Sequence, residues 1–319
     1  MAACSEPAWQ AAGERVASGS LEPLRAGRYA VPVQRTVASA LRLAVVTLGS
    51  SPTPRSDAEE LLSRLLGVSR AELRLLGRRM LTRGESARLE SWLVRRAAHE
   101  PVQYITGRAA FRDLDVGVGP GVLIPRPETE GLVEAVLGVL RAQGQAWPAP
   151  RVLDLGTGAG AIALALAAEW PAAIVTATDE SAVALESARA NAAALGLGGR
   201  VRLLAGRWFD AVGPAERFEI VVSNPPYIAT GERDALPEDV RSFEPPQALF
   251  SGESGLDATR ELVDRAPPHL AEGGLLALEL AEERAHEVAG WLEGAPAWRS
   301  VEVRDDLARR PRYLLARLA

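Results

Sequence analysis

Two rhythms of apolar residues divide the chain. From about residue 36 to 100 the period is helical. Ala58, Leu61, Leu62, Leu65 and Leu66 return to one face, and Leu89, Trp92 and Leu93 return to another. Ser56 with Glu59, and Thr82 with Glu85, have capping-box spacing, in which two side chains satisfy each other's orphan backbone N–H groups. Arg95, Arg96 and His99 are expected to close the later helix at its negative end. The pattern predicts a small module of four or five helices. Ahead of it, residues 1–34 are rich in Ala, Gly, Ser and Pro without a period and read as a flexible extension.

From Arg151 the texture changes. Short apolar runs at 152–155, 174–178, 201–204, 220–223 and 275–280 alternate with helical stretches at 161–170, 182–195, 258–270 and 282–292. Such alternation predicts a mostly parallel sheet covered on both faces. Residues 301–304 and 313–318 read as a final antiparallel pair. Between the two textures, FRDLDVGVGPGVLIP at 111–125 alternates around Gly and Pro like a hairpin. Pro127 is placed to open a helix through Leu132, Val133, Val136, Leu137 and Leu140. The expected organisation is an extension at 1–34, a helical domain at 35–110, a hairpin linker at 111–125 and an α/β domain at 126–319.

Composition narrows the functional classes. A 47% hydrophobic and 24% charged chain has the balance of a water-soluble globular protein, and no apolar run approaches the length that spans a membrane. No secretory signal is visible. Arg15, Arg25 and Arg28 are interleaved with Glu6, Glu14 and Glu22, against the pattern of a mitochondrial presequence. Cys4 is the one cysteine, so no disulfide within the chain and no cysteine metal site is expected, and a reducing cytoplasm fits. A net charge of -5 argues against a broad nucleic-acid footprint. All 36 basic residues are Arg, which reads as compositional bias. His99, His269 and His286 are scattered without ligand spacing, so no metal or catalytic role is assigned to them.

Two stretches carry chemistry. Gly156-Thr157-Gly158-Ala159-Gly160 follows a predicted strand and opens a predicted helix. Its third glycine comes one place earlier than in a dinucleotide fingerprint, which suits a ligand without a pyrophosphate, such as the amino-acid part of S-adenosylmethionine. Asp179 ends the next strand, where a carboxylate can accept both ribose hydroxyls of a nucleoside. The same residue could instead cap the helix that starts near Ser181. The second stretch is Asn224-Pro225-Pro226-Tyr227, at the end of the fourth parallel strand and so on the same crevice. The prolines fix the backbone, and the Asn oxygen with a nearby carbonyl offers two acceptors to a planar –NH2 group. An amide nitrogen is a poor nucleophile because its lone pair is delocalised, so orientation is what such a fork supplies. The plain alternative is a proline-rich turn capped by Asn224.

With both stretches read, the chain resembles the release-factor glutamine methyltransferases, called PrmC or HemK, over about 36–319. The resemblance rests on EPVQYITG at 100–107, VLIPRPETE at 122–130, VLDLGTGAGAIALALA at 152–167, VSNPPYI at 222–228 and FEPPQALFSGESGLD at 243–257. It implies a class I S-adenosylmethionine-dependent methyltransferase, with a Rossmann-like seven-stranded sheet and a small N-terminal helical domain. It implies S-adenosyl-L-methionine as donor and the glutamine of the Gly-Gly-Gln motif in peptide chain release factors as acceptor. By the same resemblance Gly156, Thr157, Gly158, Ala159, Gly160 and Asp179 bind the donor, and Trp208 packs near its adenine. Asn224 lies between donor and substrate, while Asn224, Pro225, Pro226 and Tyr227 receive the glutamine. The helical domain would help grip the release factor. Arg126, Glu128 and Glu130 either line the substrate channel or cap and pair along a helix start.

The chain departs from the family in three places. Arg207 stands where an acid usually precedes the Trp, Leu280-Ala281 replace a usual His-Gly pair after Glu279, and a usual Gly is replaced around Arg309. The neighbouring functional classes are an adenine-N6 nucleic-acid methyltransferase, a ribosomal-protein glutamine methyltransferase, and a non-catalytic module that keeps a nucleoside pocket. The first expects a basic groove and a base-reading module that this sequence does not show.

Overall fold

The computed structural model describes residues 35–319, which divide into two units at Gly107/Arg108. The extension expected at 1–34 lies outside the described residues. The first unit holds five helices: α1 (Val37–Thr47), α2 (Pro54–Leu66), α3 (Arg70–Leu75), α4 (Arg83–Ala97) and α5 (Val102–Thr106). Its core is the predicted apolar faces, with Ala58, Leu61, Leu62, Leu89 and Leu93 all buried. Thr82 and Glu85 do form a capping box on α4, and Ser69 with Glu72 forms another on α3. Ser56 and Glu59 do not. Pro54 starts α2 with its fixed φ, so Ser56 already lies inside the first turn and Thr53 takes the cap position. Arg95 and Arg96 sit in the last turn of α4, whereas His99 lies beyond it at φ 66°.

The second unit begins with the hairpin β1 (Arg108–Phe111) and β2 (Leu114–Gly117), paired Arg108 to Gly117. The pairing lies earlier than the expected 111–125. Gly107, in the left-handed region at φ 73°, ends α5 and turns the chain directly into β1, and residues 118–126 form no strand. Next come α6 (Pro127–Gln143), β3 (Arg151–Leu155), α7 (Ala161–Glu169), β4 (Ile174–Asp179), α8 (Ala182–Ala194), β5 (Val201–Ala205) and β6 (Phe218–Ser223). The chain then runs through α9 (Glu238–Phe243), α10 (Asp257–Arg265), β7 (Leu270–Glu279), α11 (Ala285–Leu292), β8 (Trp298–Asp305) and β9 (Pro311–Leu318).

Seven strands make one sheet in the order β5-β4-β3-β6-β7-β9-β8. The first five are parallel, and β9 runs antiparallel to both β7 and β8. Leu153, Leu155, Val221, Leu276, Leu278 and Leu314 are buried in its centre, which is why those strands read as continuous apolar runs. Helix α7 is apolar all round and its residues from Ala161 to Ala167 are all buried, as a helix inside a doubly covered sheet must be. The chain builds outward from β3 to β5, then returns to lay β6 on the other side of β3. The carboxyl ends of β3 and β6 therefore flank the point where strand order reverses, the usual ligand crevice of such sheets.

Candidate active site

Both chemical stretches leave the sheet at that reversal. Leu155 and Ser223 are paired, and the Ser223 hydroxyl donates to the Leu155 carbonyl at 2.6 Å, locking the two strand ends together. Gly156, Gly158 and Gly160 all have left-handed φ (71°, 57° and 87°), a conformation that side chains resist. At Gly156 a Cβ would also come within 2.8 Å of the Trp208 ring, so only a bare Cα lets that indole lie on the loop. Beneath the loop, fully buried Asp154 accepts from the Thr157 hydroxyl at 2.6 Å and from the Ala163 N–H at 3.2 Å. Burial pushes its carboxyl up to about 7, and its Oδ1 has no partner. Buried Asn191 of α8 pins the loop from the side, donating to the carbonyls of Ala159 and Gly117 and accepting the Gly117 N–H.

Asp179 ends β4 with its carboxylate toward the loop. Oδ2 accepts from the Gly158 N–H at 2.9 Å and Oδ1 from the Ser181 N–H at 2.8 Å. Ser181 itself caps α8, accepting from the Ala184 N–H, so the capping role considered for Asp179 is filled by its neighbour. Burial raises the Asp179 carboxyl, partly opposed by those N–H donors. Trp208 sits at φ 46° with its indole N–H buried and unpartnered. Arg207 lines the same crevice, but Glu261 holds its guanidinium at 2.7 Å and Glu180 lies 3.9 Å away, offsetting its charge.

The crevice holds about 980 Å³ of empty space, its open mouth included, at the upper end of small-ligand sites. The glycine loop, Asp179, Trp208, Asn224 and Pro226 line it. Pro225 and Tyr227 do not, contrary to the expectation that the whole four-residue stretch faces it. Pro225 is buried. Tyr227 points into a second, polar pocket with Glu282, Glu283, Arg284, Arg310 and Arg312. Burial and the charge of Glu279 push its phenol up to about 12, so it stays neutral. Two consecutive prolines leave alternate residues on opposite sides of an extended segment, which separates Asn224 and Pro226 from their neighbours.

Among the three charged residues weighed at the start of α6, only Arg126 lines the crevice, and it pairs with buried Glu244 at 2.6 Å. Glu128 turns to Arg310, and Glu130 accepts the Arg112 backbone N–H. Sequence reasoning missed Thr129, which lies between them. Its hydroxyl accepts from the Asn224 Nδ2–H at 3.0 Å, leaving Oδ1 as the free end of that amide. It also missed Gln247 and Ala248, which line the crevice from the segment after α9. No pattern local to 127–130 marks Thr129, because its partner is 95 residues away.

Comparison with known proteins finds matches to both units of the chain. A family model of the PrmC N-terminal domain matches residues 39–107, and one of the methyltransferase small domain matches 134–238. The release factor glutamine methyltransferase of Cereibacter sphaeroides is 44% identical over 283 residues, covering 88% of this chain and 98% of that protein. The one of Koribacter versatilis is 41% identical, covering 84% of this chain and 92% of its own. The solved hMettl16 catalytic domain, 14% identical, covers 76% of this chain and 85% of its own with a TM-score of 0.50, a likeness of fold alone. The methyltransferase fold, the helical N-terminal unit and relatives aligned over nearly their full length lead to one conclusion: the chain belongs to the release factor glutamine methyltransferase family.

Proposed function

We propose that the chain binds S-adenosyl-L-methionine in the crevice and transfers its methyl group to the side-chain amide nitrogen of the glutamine in the Gly-Gly-Gln motif of peptide chain release factors. One observation carries the reading: Asn224, its Nδ2–H held by Thr129, lines the same crevice as the glycine loop and Asp179. Three features fit the donor. The left-handed glycines allow backbone to approach it, the Asp179 carboxylate has lone pairs left for ribose hydroxyls, and the buried Trp208 N–H lacks an acceptor. When bound, this donor supplies a methyl group made electrophilic by its sulfonium.

The rest falls to the chain's own groups. Asn224 Oδ1 and a carbonyl of the Asn224–Pro226 segment would each accept one N–H of the glutamine amide. That aims a weakly nucleophilic nitrogen and steadies the positive charge it gains during attack. The nitrogen, by then acidic, afterwards gives up its proton to water. Neutral Tyr227 forms a wall behind the segment rather than a base. We assign the helical unit to gripping the release factor, and the cytoplasm as the place of action. The test is transfer of labelled methyl to a recombinant release factor, with a Gln→Ala change in its Gly-Gly-Gln motif as control. Label on the parent factor alone is expected. Label on DNA or RNA instead, or donor binding without transfer, overturns the reading.

A further inference from the structure

Two loop segments wall the crevice. Residues 121–123, 125 and 126 line it from the stretch between β2 and α6. Pro245, Gln247 and Ala248 line it from the stretch just past the end of α9. Neither segment belongs to the sheet, so strand pairing does not set the distance between them. Glu244 joins them. Its Oε1 accepts from Arg126 Nη2 at 2.6 Å and its Oε2 from the Ile124 N–H at 3.3 Å, across 118 and 120 residues of chain. The carboxylate therefore commits both oxygens to the opposite wall. Its side chain is 1% exposed, so little water competes for these bonds. Both ends of the joint are anchored on helices. The Glu244 N–H donates to the Val240 carbonyl of α9 at 3.1 Å, and Arg126 is the N-cap residue of α6.

We propose that Glu244 is a positioning residue that holds the two walls of the crevice together over its ligand. The inference deepens the function proposed above and rests on it for the identity of that ligand. Parting the walls would strip the carboxylate of both donors, and a buried charge left unpaired is costly. Each wall carries two prolines, Pro120 and Pro125 in one and Pro245 and Pro246 in the other. Their fixed φ stiffens the backbone, so each wall shifts as a piece. A joint between stiff pieces sets the width of the opening they share. Walls held together keep a bound donor from leaving and keep water from the group being methylated. Glu244 does not itself line the crevice, so its effect on a ligand passes through Arg126 and the walls. A buried pair that merely supported the fold would, once broken, loosen the sheet as well.

Amide hydrogen exchange on the full chain reads the walls directly. Glu244→Gln keeps the shape of the side chain but turns one oxygen into an –NH2 group, which then meets a donor on the opposite wall. Peptides covering 118–126 and 245–250 should exchange roughly 10-fold faster in this variant, while those covering β3 and β6 keep the parent's rates. S-adenosylhomocysteine should also leave the variant roughly 10-fold faster, as displacement of the labelled compound by unlabelled would record. The parent alone gives a further measurement: S-adenosylhomocysteine should slow exchange in both walls together. Walls that keep the parent's exchange in Glu244→Gln overturn the proposal, and so do faster walls with unchanged ligand dissociation. Protection of one wall without the other in the liganded parent overturns it too. Exchange that quickens in β3 and β6 as much as in the walls would make Glu244 a support of the whole fold and end the proposal. Walls that loosen together in a chain that binds no S-adenosylhomocysteine would instead sink the donor assignment and leave the joint standing.

Discussion

Each unit buries charged side chains, and two acids of the sheet unit are held in a way opposite to the buried pair of the helical unit. In the helical unit Asp57 and Arg96 meet at 2.7 Å almost out of solvent. Asp57 also accepts the hydroxyls of Ser51 and Thr53, and Arg96 donates to the carbonyls of His99 and Glu100. Charge is matched by charge and the remaining polar atoms by hydrogen bonds, the condition under which a buried pair can be kept. In the sheet unit Asp154 and Glu279 are as deeply buried, but each keeps an oxygen without a partner and each is raised to about 7. A saturated buried charge clamps architecture. An unsaturated one behind a crevice marks a place where the fold gives up stability to hold something in position.

The sharpest break of that comparison is Asp57→Ala. It leaves the Arg96 charge buried alone and should remove about 3–5 kcal/mol of stability, read as a lower urea midpoint. A loss below about 1 kcal/mol would show the pair to be no clamp. Asn224→Ala should do the reverse, cutting methyl transfer by about 100-fold or more with little change in melting temperature or in binding of S-adenosylhomocysteine. Normal turnover by this variant would remove Asn224 from the chemistry. Asp179→Ala should weaken donor binding first, by roughly 10-fold, as isothermal titration would record; unchanged affinity would mean its carboxylate serves only Gly158 and Ser181.

The buried acids also predict a pH signature. Their folded values lie above the usual 3.8 and 4.5, so the folded chain keeps protons that the unfolded chain releases. The stability this provides is complete below the unfolded values and is lost as pH rises to about 7. Glu279→Gln, which stays neutral, should therefore gain on the parent between about pH 5 and about pH 8, by on the order of 1–3 kcal/mol. A difference independent of pH would show that Glu279 titrates normally. The smallest effect belongs to the helical unit: Thr82→Ala removes one cap of α4 and should lower stability by about 1 kcal/mol, with transfer unaffected.

What the sequence settled by itself is what neighbours along the chain decide. Buried parallel strands are continuous apolar runs, so β3 to β7 could be read from composition alone. The glycine loop was visible because three left-handed residues in a row of five leave little choice of residue. Thr82 and Glu85 were legible because a capping box spans a single turn. Local signals also misled: Ser56 and Glu59 have the right spacing, yet Pro54 had already begun the helix. The hairpin at Arg108–Gly117 was shifted because a turn through Arg112 at φ 50° carries no glycine to announce it.

Only the folded sheet decided how the crevice residues face one another. Strand reversal at β3 brings Asn224 beside Gly156, and the start of α6 brings Thr129 to the Asn224 amide. The Nδ2–H of that amide is held by a hydroxyl 95 residues away in the chain. Such a bond leaves no period, spacing or composition in the sequence, because its geometry exists only once the intervening strands have paired.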